Sequence, residues 1–229
     1  MRTLTLEEAK AYYDRFGAKQ DSQTFYEAPA VRAMVAHSDF DQATSVLEFG
    51  CGTGRLALEL LTSRLPPAAR YQGVDVSATM VQLAAARLAA FAPRATATLV
   101  SEEAAVPAAD ASIDRFVSTY VLDLLPDATT GQVLAEAHRA LRPDGLLCLV
   151  GITQGVTSLS RIMMGLWQWV FARRPAWVGG CRPARLAAHL ARDQWQMRFH
   201  TVVVAWGIAS EVVVAAPVQP AGDRIGSVA

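Results

Sequence analysis

Apolar positions along this chain keep two rhythms in turn, a short continuous run followed by a longer stretch with helical spacing. Residues 45–49 are apolar and end in glycines, and residues 55–65 then repeat leucine at helical intervals until Pro66 and Pro67 stop the pattern. The alternation recurs. Residues 71–76 read as a strand, Ser77 as an N-cap, and residues 78–91 as an alanine-rich helix closed by Pro93. A third strand is expected over 95–100 and a fourth over 114–121. In the helix expected over 127–142, Val133, Leu134, Ala137 and Leu141 share one face, and Pro143-Asp144-Gly145 is expected to turn the chain. Residues 146–152 are unbrokenly apolar, which suits a central strand covered on both faces. Consecutive strand-helix units imply a parallel sheet.

The rhythm differs at both ends. The first forty residues read as helical and gather Tyr12, Tyr13, Phe16, Phe25 and Tyr26. Beyond Gly151, residues 158–172 form a helix rich in Trp and Met, and residues 183–193 read as a second helix with proline in its first turn. Residues 196–205 and 209–216 pair as a hairpin about Gly207, and the residues beyond Pro217 read as a disordered tail. The expected organisation is one domain over 1–217: a helical cap (1–42), a cofactor-binding core (43–152), a helical substrate lid (153–194), a hairpin (195–217), then the tail (218–229).

Chemistry concentrates in Glu48-Phe49-Gly50-Cys51-Gly52-Thr53-Gly54, between the first strand and its helix. Glycines at alternate positions let a backbone turn tightly and approach a ligand where side chains would collide. An ordinary strand-to-helix turn seldom needs three. A dinucleotide fingerprint would place its third glycine at position 55, which is Arg55, so a pyrophosphate site is disfavoured. Asp75 ends the second strand about twenty residues beyond the glycines, where a carboxylate serves to accept bonds from both hydroxyls of a ribose.

This glycine loop with its preceding acid resembles motif I of the class I S-adenosylmethionine-dependent methyltransferases. Ser101-Glu102-Glu103 with Val106-Pro107 and Asp110 to Asp114 resembles the family stretch that comes after the third strand, and Leu141-Arg142-Pro143-Asp144-Gly145 resembles its turn before the fifth. The likeness covers about residues 43–152; Tyr12 to Phe16 looks like the aromatic first helix of the ubiquinone/menaquinone-biosynthesis type. The resemblance implies a Rossmann-like three-layer αβα sandwich, with seven mostly parallel strands and an antiparallel C-terminal hairpin. It implies S-adenosyl-L-methionine as cofactor, bound by Tyr13, Glu48, Gly50, Cys51, Gly52, Thr53, Gly54, Asp75, Val76, Met80, Glu102 or Glu103, and Thr119. Glu48 would help to hold the ligand's amino group, and Glu102 or Glu103 the adenine amino group.

Methyl transfer is an in-line displacement that asks mainly for alignment and exclusion of water, with a base only where the acceptor must lose a proton. Among His37, Asp123, His138 and His189, Asp123 has the best position for a base, just after the fourth strand. The expected acceptor is a small or lipid-like molecule with an apolar portion, met by Tyr12, Tyr120, Trp167 and Arg182. Acidic and basic residues balance at 21 each, which argues against a nucleic-acid partner. Cys51, Cys148 and Cys181 lack the paired spacing of a zinc or disulfide framework, no metal site is expected, and the N-terminal residues do not read as a signal peptide. A cytoplasmic location is the default expectation. Arg161, Arg173 and Arg174 bracket an apolar run, so peripheral membrane contact stays open. The alternatives are a cofactor-binding partner or regulatory subunit of the same fold without turnover, and a nicotinamide-dependent dehydrogenase, the latter disfavoured by the glycine spacing.

Overall fold

The computed structural model describes residues 5–102, 104–178 and 180–218. Glu103, Gly179 and the expected tail beyond 218 lie outside them.

One sheet of seven strands organises the chain in the order β3-β2-β1-β4-β5-β7-β6. Strands β1 (Ser45–Phe49), β2 (Arg70–Asp75), β3 (Ala95–Leu99), β4 (Ile113–Thr119) and β5 (Leu141–Ile152) run parallel, whereas β7 (Ile208–Pro217) is antiparallel to both β5 and β6 (Trp195–Ala205). The expected sandwich is therefore present. Side chains of the central strands alternate between two cores, as a pleat of period two requires. Leu47, Phe49, Leu147, Leu149, Val213 and Ala215 face the side covered by α5 (Asp127–Ala140). Val46, Cys148, Val150, Val212 and Val214 face the other, covered by α2 (Thr24–Ala36) and α3 (Arg55–Ser63). Both faces of β1, of β5 from Leu146 to Ile152 and of β7 are thus buried, which explains their largely apolar sequence.

Helix α1 (Leu6–Phe16) and α4 (Ala78–Leu88) complete the part of the fold that carries the site. A Thr5/Glu8 capping box starts α1, and Ser77 Oγ caps α4 by accepting from Met80 N. Asp14 Oδ1 ties the two together, accepting from Ser77 Oγ at 2.6 Å and from Thr79 N at 3.3 Å.

A second latch closes the opposite end of the sheet. Asp114 Oδ2 accepts from Thr44 N (2.7 Å), Thr44 Oγ1 (2.6 Å) and Ser45 N (2.9 Å), while Oδ1 meets Arg142 Nη1 at 2.9 Å. Burial would raise this carboxyl, but these donors outweigh it and hold the pKa at about 2.

Two expected elements differ. The helix expected over 183–193 is only a 3-10 turn, Leu186–His189. The amides that would make its first helical bonds, Leu186 N and Ala187 N, donate instead to Glu211 Oε2 and Oε1, at 2.6 and 3.5 Å. The turn Pro143-Asp144-Gly145 does not precede the fifth strand but loops out of it. Pairing with β4 jumps from Ile113↔Leu141 to Arg115↔Leu146.

Candidate functional site

The site lies at the C-terminal ends of β1, β2 and β4, where an open parallel sheet places its crevice. A largely apolar cleft there, about 840 Å³ when space open to solvent is counted, is walled by Gly50, Gly52, Asp75, Val76, Met80 and Thr119 to Val121. Helix α1 roofs it with Thr5, Ala9 and Tyr13. A second, more polar chamber adjoins it across the shared walls Gln20, Gly50, Gly52, Thr119 and Tyr120, and is lined by Asp21, Glu27, Glu48, Cys51, Thr53 and Arg55.

Backbone geometry shapes the loop between β1 and α3. Gly50 N and Cys51 N both donate to Val74 O, at 2.8 and 3.0 Å, which turns the chain sharply off β1. At Gly50, φ is +76°, and a Cβ there would lie 2.3 Å from Val121 Cγ2. At Gly52, φ is +52°, yet no atom lies within 4 Å of where a Cβ would project. The first glycine admits a neighbouring side chain, and the second keeps the wall of the cleft open. Gly54 is the N-cap residue of α3.

Carboxylates line this region at several depths. Asp75 accepts from Gly52 N through Oδ2 and from Ser77 N through Oδ1, both at 2.9 Å, so both oxygens are fixed in orientation. Burial raises its pKa against those hydrogen bonds. Glu48 is buried beneath the loop and accepts from the Tyr71 hydroxyl, and burial pushes it up to about 8. Glu27, on α2, is pushed up to about 7 by burial despite Arg55, 3.2 Å away. Asp21 joins Thr53 Oγ1 (2.6 Å) and Arg87 Nη2 (2.7 Å), pinning the segment before α2 to the loop. Gln20 Oε1 is buried with no hydrogen-bond partner.

Several residues singled out from the sequence thus line one of the two spaces: Tyr13, Glu48, Gly50, Cys51, Gly52, Thr53, Asp75, Val76, Met80, Thr119 and Tyr120. Others do not. Glu102 is exposed beyond the edge strand β3 and lines neither space, and Glu103 lies outside the described residues. Asp123 is fully buried, with Oδ2 accepting from Ile152 N at 3.1 Å and Oδ1 without a hydrogen-bond partner, and burial pushes it up to about 7. It sits behind the wall, not on it. Tyr12 packs against Phe16, Trp167 donates from Nε1 to Cys181 O, and Arg182 pairs with Asp127; none of the three lines either space. The histidines are likewise elsewhere: His37 stacks on Phe199, His138 meets Trp195 edge-on, and His189 lies 3.7 Å from Asp127.

Sequence reasoning missed Gln20, Glu27 and Tyr71. Only Glu27 carried a signal, as the one acid on a largely apolar helix; Gln20 and Tyr71 become recognisable through folded contacts alone.

Comparison with known proteins adds an independent line. The profile of a methyltransferase-domain family matches residues 46–145. The trans-aconitate 2-methyltransferase of Azoarcus sp. (strain BH72) is 36% identical over 120 residues, which are 52% of this chain and 44% of that protein. The chain therefore spans under half the length of this curated relative. Among solved structures, the [4+2]-cyclase SpnF superposes with a TM-score of 0.72 at 15% identity, covering 96% of this chain and 99% of its own. An O-methyltransferase of neocarzinostatin biosynthesis, solved with S-adenosylmethionine and 2-hydroxy-5-methyl naphthoic acid, superposes with a TM-score of 0.64 at 16% identity, covering 91% of this chain and 57% of its own. The glycine loop at the crevice, the strand order and the profile match converge: residues 46–145 match a methyltransferase domain, and the chain shares the fold of proteins that bind S-adenosylmethionine.

Proposed function

We propose that this chain transfers a methyl group from S-adenosylmethionine to a small, partly apolar acceptor. The observation that carries the reading is a pair of adjoining spaces that share Gln20, Gly50, Gly52, Thr119 and Tyr120 as walls, an apolar cleft at Asp75 and a polar chamber at Glu27, Glu48 and Arg55. The residues present suit the cofactor. Gly52 leaves room where a side chain would intrude, Gln20 Oε1 is a buried acceptor without a donor, and Asp75 has lone pairs to spare beyond its two backbone bonds.

In this reading Asp75 holds the ribose hydroxyls, Met80, Val76 and Val121 offer apolar walls to the adenine, and Glu48 with Gln20 receives the ammonium group. When bound, the cofactor supplies an electrophilic methyl carbon on a sulfonium. The chain's own work is alignment and exclusion of water, by Tyr13 from the roof and by Thr119 and Tyr120 where the two spaces join. An acceptor that must lose a proton finds Glu27, held near pH 7, at the polar chamber, whereas Asp123 is sealed from both spaces. Tyr120 is the acceptor-side residue that this reading keeps.

Calorimetric titration with S-adenosylmethionine, S-adenosylhomocysteine and NAD tests the site. Binding of the first two is expected, weakened on the order of tenfold or more by Asp75→Ala, since hydrogen bonds to a charged group contribute about 1.5–3 kcal/mol. Preferential binding of NAD, or no binding by folded protein, would overturn the reading. A cyclase of the same fold favours a second one, a chain that binds the cofactor without methyl transfer. Tight binding with no S-adenosylhomocysteine formed across a panel of small acids, phenols and quinols would select it.

A further inference from the structure

Among the described residues, the outward face of α6 (Ser158–Arg173) has no partner. Ser160, Met164 and Phe171 are the buried residues of this helix and form a narrow inner strip. Outside it, Leu159, Ile162, Leu166 and Trp169 are exposed, Ile162 to 70%. The surface continues onto the β6–β7 turn, where Gly207 lies against Met163 and Leu159 and where Trp206 is 77% exposed. Phe25 meets Trp206 edge-on, with ring centroids 6.2 Å apart. Beyond the far end of α6, Trp177 is 73% exposed. A contiguous apolar surface of this kind marks an interaction site.

Its charge is one-sided. From residue 145 to residue 192 the sequence holds Arg161, Arg173, Arg174, Arg182, Arg185 and Arg192 and no acid, in a chain whose charges cancel overall, so the excess of acid lies elsewhere; of these six, Arg182 pairs with Asp127. Two of these arginines lie on exposed indoles, Arg173 with its guanidinium carbon 3.8 Å from the Trp169 ring centroid and Arg174 5.2 Å from that of Trp177. Apolar side chains flanked by cations and indoles are what a helix presents when it lies in the headgroup region of a bilayer.

We propose that this face docks the protein on a lipid surface rich in anionic phospholipid. A second copy fits less well, because a two-fold interface would set the arginines against themselves without an acid to pair them. Among the described residues no helix is long and apolar enough to cross a membrane, so α6 lies on the surface. It follows β5 at the end of the sheet where the cleft opens, so docking brings the cleft towards the lipid.

Flotation of the full chain with vesicles of phosphatidylcholine alone, or mixed with phosphatidylglycerol, tests this at low and high salt. Binding to the anionic vesicles is expected, weakened by salt and abolished by Ile162→Glu with Leu166→Glu, both exposed positions. Replacing Arg161, Arg173 and Arg174 by Gln should lower partitioning about a hundredfold, at about a factor of five for each cation near the surface. Thermal unfolding and S-adenosylmethionine binding should stay unchanged in both variants, which separates this result from the methyl-transfer reading. No vesicle binding, or equal binding to neutral vesicles, would overturn the assignment. So would a dimer, seen by sedimentation, that the Ile162/Leu166 variant dissolves.

Discussion

Gly50 and Gly52 share a left-handed backbone but answer to different neighbours, and the difference is measurable. A methyl at position 50 collides with Val121, so Gly50→Ala should lower the melting temperature sharply. At Gly52 the strain alone costs roughly 1–2 kcal/mol, or a few degrees in a domain of this size, while the methyl enters the cleft. Gly52→Ala should therefore fold and lose cofactor affinity. Melting curves beside calorimetry check both, and normal affinity in Gly52→Ala would show that this wall does not meet the ligand. Tyr120 is the converse, a non-glycine at φ +57°, held there by its amide on Val150 O (2.7 Å) and its hydroxyl on Ser210 Oγ (2.9 Å). Such strain at a crevice is a common companion of function. The glycines were legible because spacing alone exposes them. Tyr120's conformation was not, since it depends on β5 and β7, far along the chain.

Elements were legible where burial alone sets the pattern. The largely apolar run of β1, that of β5 from Leu146 to Ile152 and the leucine repeat of α3 need no distant information. The segment at 183–193 misled because its leucines do pack inward, Leu186 and Leu190 among them, while the amides of Leu186 and Ala187 serve Glu211. Periodicity reports burial; it does not report where backbone donors go. Glu102 lies off both spaces for a related reason, because β3 is an edge strand and the chain leaves it towards solvent. Helix α1 offers an element-level test. It roofs the cleft and is tied to α4 through Asp14, so Asp14→Ala should weaken S-adenosylmethionine binding several-fold, with unfolding little changed. Unaltered affinity would mean that the roof is held by its aromatic packing alone.

Taken as a whole, the molecule stores carboxylates at raised pKa. Glu48 at about 8 and Glu27 and Asp123 at about 7 bind more protons folded than unfolded, so stability is full below their ordinary values and falls as pH rises through about 4 to 8. Asp114 acts in the opposite sense: its contribution is present above about pH 4 and is lost as pH falls towards 2. The cofactor-free protein should therefore melt at a higher temperature near pH 5 than near pH 8, with Glu48→Gln flattening the slope. S-adenosylmethionine, carrying positive charge, should raise the melting temperature more at about pH 8 than at about pH 5. A stability maximum above about pH 7 without cofactor would contradict the burial of these groups.

The strand order has one more consequence, in time as well as in space. β5 pairs on one side with β4, already made, and on the other with β7, whose residues leave the ribosome more than fifty positions later. Throughout that interval the nascent chain presents the open, apolar edge of Leu147 to Ile152 to any passing strand, a template for mispairing of the kind chaperones shield. The last strand made is the one that seals the sheet's interior.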